Sequence, residues 1–148
     1  MPGIIVGVDG SDHSCRALEW AIREASVRHS PLTVLTVQQP ATGYWGVGAA
    51  VPIPYPYDQD LARLALKMAE EETNSTLEKV GRECRPSSVT VRAVVAFPAE
   101  ALLEAAADAD LLVVGCRGAG GFKRLLMGSV STQVTQHAHC PVVVIPAT

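Results

Sequence analysis

Residues 115–131 read GCRGAGGFKRLLMGSVS, a run of glycines, basic side chains and hydroxyls around the apolar knot Leu125–Met127. Glycine-rich turns that lead into helices often hold phosphate, but the two best-known templates do not fit. A P-loop counted from Gly115 has Gly121 where its lysine belongs, and a dinucleotide fingerprint counted from Gly118 and Gly120 has Lys123 where its third glycine belongs. What the segment does contain is G-x-x-G at Gly115 and Gly118, then nine residues, then Gly128-Ser129. Gly115 and Gly118 let backbone approach a ligand closely. Gly128, Ser129, Val130 and Ser131 would form the first turn of a helix, where unpaired N–H groups and the positive end of the macrodipole favour an anion. A di- or triphosphate fits this pattern, with Arg117, and Lys123 or Arg124, supplying charge. The alternative is a tight strand-to-helix loop in which Ser129 merely caps the helix.

Asp9, in the stretch VDGS of residues 8–11, is the second candidate. A carboxylate there can accept hydrogen bonds from a ribose or coordinate a magnesium-bound phosphate, or else make an Asx-type cap of the helix that follows. For catalysis the chain offers only Asp9, Ser129 and Ser131 near the expected phosphates, with His13 one helical turn from Asp9. His137 and His139 are expected at the far end of the last helix, where imidazolium suits the dipole. The residue set therefore favours binding over turnover. Cys15, Cys84, Cys116 and Cys140 form no C-x-x-C pair and read as small buried hydrophobes, Cys116 alone lying inside the glycine segment.

Five short apolar runs must position these residues: 3–8, 32–37, 89–95, 111–115 and 142–145 read as strands. Between them lie helical patterns: Leu18, Ile22 and Ala25 after the natural N-cap Ser11; a long helix over about 58–84; a third after Pro98; and a fourth through Val130, Val134 and Ala138. Strict alternation of strand and helix predicts an α/β domain with a parallel sheet and helices on both faces. The third strand alternates Val89, Val91, Ala93 and Val95 with polar residues, which suits an edge, and right-handed crossovers then permit the order 3-2-1-4-5. Winding reverses between strands 1 and 4, so Asp9 and the glycine segment face one crevice at the carboxyl ends. The connection 38–57 is unusually long, with four prolines, Trp45 and all three tyrosines. It reads as an insertion packed on the domain or a partner subunit, the alternative being a lid.

Composition sets the outer limits. Hydrophobic residues at 48% and charged residues at 18% are those of a globular chain, so 1–148 is expected to be a single domain. A net charge of −3 gives no electrostatic footprint for nucleic acid. No apolar run approaches the ~20 residues that span a bilayer, and the first twelve residues lack a signal-peptide pattern, so a cytoplasmic protein without membrane insertion is expected.

The motifs together resemble the universal stress protein family along the whole chain: GVDGS after the first strand, ALEWAIREA in the first helix, DLLVVGCRG, LLMGSVS and the closing HCPVVVIP. The spacing of Gly115, Gly118, Gly128 and Ser129 is similar to the motif of that family's ATP-binding branch. The resemblance implies a Rossmann-like three-layer sandwich of the adenine nucleotide alpha hydrolase-like kind and a homodimeric nucleotide-responsive module of stress response or dormancy. By position, it implies that Asp9 meets the ribose or the Mg2+-phosphate end of ATP and that Val37 offers backbone groups to adenine. Gly115 and Gly118 would lie along ribose and phosphate, with Arg117 supplying charge nearby and Gly128, Ser129, Val130 and Ser131 holding the phosphates. Slow ATP hydrolysis or autophosphorylation on Ser129 or Ser131 is the first alternative, and a structural dimer without nucleotide the second. Phe97 departs from the family pattern, many relatives having glycine there. The apolar strand 142–145 at a sheet edge would aggregate unless covered, so homodimerisation through it is expected, with a further protein partner that the residues do not identify.

Overall fold

The computed structural model describes residues 2–40, 42–45, 49–52, 57–116 and 127–146. Its elements are β1 (Ile4–Val8), α1 (Asp12–Val27), β2 (Pro31–Gln38), β3 (Thr42–Trp45), β4 (Ala49–Pro52), α2 (Tyr57–Val80), β5 (Ser88–Val95), α3 (Pro98–Ala105), β6 (Leu111–Gly115), α4 (Ser129–His137) and β7 (Val142–Ile145). β1, β2, β5, β6 and β7 form one five-stranded sheet in the order β5-β2-β1-β6-β7, every pair parallel. Counted among these five strands, this is the expected order 3-2-1-4-5.

The period-2 pattern of the strands sorts the core into two layers. Ile4, Val6 and Val8 of β1, Leu32 and Val34 of β2, and Leu111 and Val113 of β6 pack against Leu18 and Ile22 of α1 and Leu77 of α2. The alternate residues Ile5, Leu35, Leu112 and Val114 pack against Ala99 and Leu102 of α3 and Val134 of α4. β1 and β6 are hydrophobic on both faces because both are covered, and β5, at the edge, leaves Ser88, Thr90 and Arg92 exposed.

Two elements differ from the sequence expectation. α2 stops at Val80, short of the expected 84, because Gly81 takes φ +89 and its N–H returns to the Leu77 carbonyl at 3.2 Å. Glycine enters that left-handed conformation without the Cβ penalty, so the apolar period through Cys84 is cut. Within the connection 38–57, β3 and β4 pair as an antiparallel hairpin with Tyr44 opposite Ala50, where only an irregular insertion or lid was expected.

α1 and α2 are joined by polar contacts that fix their register. The Cys15 thiol donates to Glu72 Oε1 at 2.7 Å, and Lys79 Nζ lies 2.8 Å from Glu19 Oε2, with Arg23 3.1 Å from the other oxygen. Lys79 and then Arg23 hold the Glu19 carboxyl below its usual range. Burial, then the hydrogen bond and charge of Glu72, push the Cys15 thiol up to about 12. The unfolded chain releases this proton at an ordinary thiol pKa, so the contact's contribution to stability is lost as pH rises from that range towards about 12. The thiolate is the reactive form. Glu72→Gln is therefore expected to quicken iodoacetamide labelling of Cys15 several-fold at pH 8.5, read by peptide mass mapping; unchanged labelling would contradict the contact.

Candidate functional site

The site is built at the carboxyl ends of β1, β2 and β6. β1 ends at Val8, opposite Thr36, so Val37 and Gln38 of β2 run past it, Val37 pairing with Val94 on the other side. Asp9 follows β1 and is exposed, so it carries no burial penalty. Its Oδ1 accepts the Ser11 N–H at 2.9 Å, the Asx turn that the sequence allowed as an alternative. The turn orients the Asp9 carboxylate at the mouth of α1. Ser11 then caps α1, accepting the Ser14 N–H at 3.2 Å.

β6 ends at Gly115, where α1 passes very close. A Cβ at Gly115 would lie 3.0 Å from the carbonyl carbon and oxygen of His13 and 3.1 Å from its Cβ. Glycine is needed there to admit helix backbone, a role sequence reasoning missed in assigning the close approach to a ligand. The contact places the Asp9–His13 turn beside the start of the glycine segment. His13 Nδ1 is buried with no hydrogen-bond partner among the described residues.

The far end of the glycine segment returns to the same point. Gly128 donates to the Cys116 carbonyl at 2.6 Å and serves as N-cap of α4, with no side-chain cap bond and no acidic residue in the first turn. Helix-start N–H groups in Ser129, Val130 and Ser131 precede the first intrahelical donor, Thr132, whose N–H reaches Gly128 at 3.0 Å. Ser129 is exposed, whereas Ser131 is only 3% exposed, its Oγ 2.9 Å from the Cys116 carbonyl and 3.0 Å from that of Gly128. The structure thus places Asp9, Gly115, Gly128, Ser129, Val130 and Ser131 around the carboxyl ends of β1 and β6, with Val37 on the adjoining strand. Arg117 and Gly118, like Lys123 and Arg124, lie outside the described residues. His137 closes α4 at its far end and is exposed, as is His139.

The apolar flank of α2 was not foreseen as part of this region. Glu72 meets Cys15 and Lys79 meets Glu19, so the helices run parallel and in step. Leu61 precedes Glu72, and Met68 precedes Lys79, by three turns on that same flank. Because α1 begins only at Asp12, level with Ala69 when Cys15 meets Glu72, the first turns of α2 overhang its start by about 18 Å. Leu61, Leu64 and Met68 are accordingly 44, 55 and 58% exposed beside the carboxyl end of the sheet. The signal was present in their spacing, but a helical stripe of leucines reads first as core.

Among the described residues no group of three or more His, Cys, Asp or Glu side chains is arranged to hold a metal ion.

A family model described as the universal stress protein family matches residues 2–146. A universal stress protein of Mycobacterium tuberculosis is 36% identical over 146 residues, which are 97% of this chain and 47% of its own. The chain therefore spans about half the length of the curated relatives it matches. Among solved structures, the universal stress protein UspA from Lactobacillus plantarum superposes with a TM-score of 0.78 at 23% identity, covering 97% of each chain. A universal stress protein in complex with cAMP superposes with a TM-score of 0.66 at 26% identity, covering 99% of this chain and 98% of its own.

The contact at Gly115 is directly testable. Gly115→Ala puts a methyl group against the His13 backbone, which cannot rotate aside, so a loss of about 1–3 kcal/mol in denaturant stability is expected. Wild-type stability in the variant would show that α1 does not approach β6 this closely.

Proposed function

Because the chain belongs to the universal stress protein family, we propose that it is an ATP-binding member, a nucleotide-responsive regulatory module of stress response or dormancy. The observation that carries this reading is the meeting of Asp9, Gly115 and the uncapped start of α4 at the reversal of winding between β1 and β6. Support also comes from the relative in complex with cAMP, which has an adenine nucleotide on the same fold.

The roles follow from the chemistry of each group. α4 has no acid in its first turn, so its positive end is left for an external anion, and the N–H groups of Ser129, Val130 and Ser131 with the Ser129 hydroxyl hold the phosphates. Gly115 and Gly118 run along ribose and phosphate, Arg117 supplies charge beside the phosphates, and the backbone of Val37 meets adenine where β2 outruns β1. Asp9 would hold Mg2+, which would neutralise phosphate charge. The residues bind and orient, and hydrolysis or autophosphorylation, if measured, is slow. Residues 1–148 act as one domain in the cytoplasm, paired as a homodimer through the β7 edge. No described helix is long and apolar enough to cross a membrane.

Calorimetric titration of nucleotide-stripped protein with Mg2+-ATP tests the reading. Micromolar or tighter binding is expected, weakened at least tenfold by Gly118→Ala with Ser129→Ala; a wild type that binds no adenine nucleotide overturns it. Light scattering of the same sample is expected to give a dimer, and a monomer mass at micromolar concentration would rule out the β7 pairing.

A further inference from the structure

The two helices that meet at the crevice share a device that the motif does not contain. Ser14 and Ser131 each occupy the third position of a helix, α1 and α4, and each is almost fully buried, at 4% and 3% exposure. Ser14 Oγ donates to the Ser11 carbonyl at 3.0 Å and accepts the Asp9 N–H at 3.2 Å, so it ties the end of β1 to the first turn of α1. Ser131 Oγ lies between the carbonyls of Cys116 and Gly128 and ties the end of β6 to the first turn of α4. β1 and β6 are hydrogen-bonded neighbours, so the two ties stand side by side at the reversal of winding.

A serine has one proton to donate, and its destination can be worked out. The Gly128 carbonyl already receives the Thr132 N–H at 3.0 Å and the Thr132 hydroxyl at 2.8 Å, which fill its two lone pairs. The Cys116 carbonyl receives only the Gly128 N–H at 2.6 Å among these groups and has a second lone pair to give. The Ser131 proton therefore goes to Cys116, and while it does so the hydroxyl cannot donate to an anion.

We propose that Ser14 and Ser131 are a matched pair of positioning residues, whose hydroxyls fasten the two strand ends to the two helix starts and so aim backbone N–H groups at the phosphates, leaving Ser129 as the hydroxyl that touches the ligand. The proposal rests on the nucleotide reading and gives Ser131 a side-chain role apart from its backbone contact. It accounts for why two serines in GSVS, two positions apart, differ so sharply in burial. It also makes the anion site pre-formed: the N–H groups are held in place before the ligand arrives, so little ordering cost is left to binding.

Amide hydrogen exchange by NMR on nucleotide-free protein, combined with ATP titration of the same samples, separates these roles. In Ser131→Ala, exchange at the Gly128 N–H is expected to quicken and ATP affinity to fall, each by about fivefold, the loss expected for one net hydrogen bond. Ser131→Thr, which keeps the hydroxyl, returns both towards wild type. Ser14→Ala is expected to do the same at the Asp9 N–H, and it carries the test if Ser131→Ala does not fold. Ser129→Ala weakens ATP binding with Gly128 exchange at the wild-type rate. The proposal is overturned if Ser131→Ala weakens ATP binding while Gly128 exchange stays at the wild-type rate, which would make Ser131 a direct ligand contact. It is equally overturned if exchange quickens and affinity does not change. A wild type that binds no nucleotide overturns the reading of the site and the positioning role with it, and the exchange rates then report separately whether the ties exist.

Discussion

The approach of α1 to the end of β6 is the constraint on which the crevice depends. With the His13 backbone against Gly115, the first turn of α1 cannot lie anywhere but beside the end of β6. Two helix N-termini are thereby brought to one place, each with the partial positive charge of its macrodipole. α1 answers its own with the Ser11 cap and Asp12 in its first turn, and Asp9 stands at the same mouth. α4 has neither a side-chain cap bond nor an acid there. Two like partial charges are thereby held together, and that of α4 is not compensated by an acid within its own turn.

The sheet supplies the rigidity that this placement requires. Its central strands are buried on both faces, and the two apolar layers differ only in which alternate residues they use. A one-residue slip of β1 would exchange Ile4, Val6 and Val8 for their neighbours and unseat both layers, so register at the crevice is set by the core beneath it. The α1–α2 contacts act at a smaller scale. Exposed pairs such as Glu19 with Lys79 are each worth no more than about 1 kcal/mol, yet they keep the helices in step, and that register is why the start of α2 extends past α1 with an apolar flank in the open.

How much of this was legible in the sequence depends on whether a residue's type or its neighbours decide its role. β1 and β6 were readable because double-sided burial demands nearly unbroken Val, Ile and Leu, and β5 because an edge strand alternates apolar with polar residues; the order followed from the alternation with helices. The end of α2 was not, because Cys84 falls in phase with the apolar period and the left-handed Gly81 interrupts it. The β3–β4 hairpin was hidden by prolines at positions 40, 52, 54 and 56, which read as irregular chain. At the crevice, glycine and serine were legible as types that suit phosphate, but their division of labour was not. Gly115 answers to a helix backbone, and Ser131 differs from Ser129 only in facing inward, which a sequence of alternating small residues does not disclose. Ser14 went unremarked because a serine near a helix start is ordinary until its partners are seen.

Side-chain chemistry at the crevice points the same way as its backbone. The thiolate is the reactive form of cysteine, and the environment works against it at two of the four free cysteines: burial and Glu72 raise the Cys15 thiol, and burial raises that of Cys140. Cys15 is held as a hydrogen-bond donor between two helices, so its chemistry is spent on register. The hydroxyls of Ser14 and Ser131 are likewise spent on carbonyls and strand ends. Asp9 and Ser129, by contrast, are exposed. On the proposed nucleotide reading, Ser129 and the N–H groups at the start of α4 would meet the phosphates, so the response is expected in occupancy and shape more than in turnover.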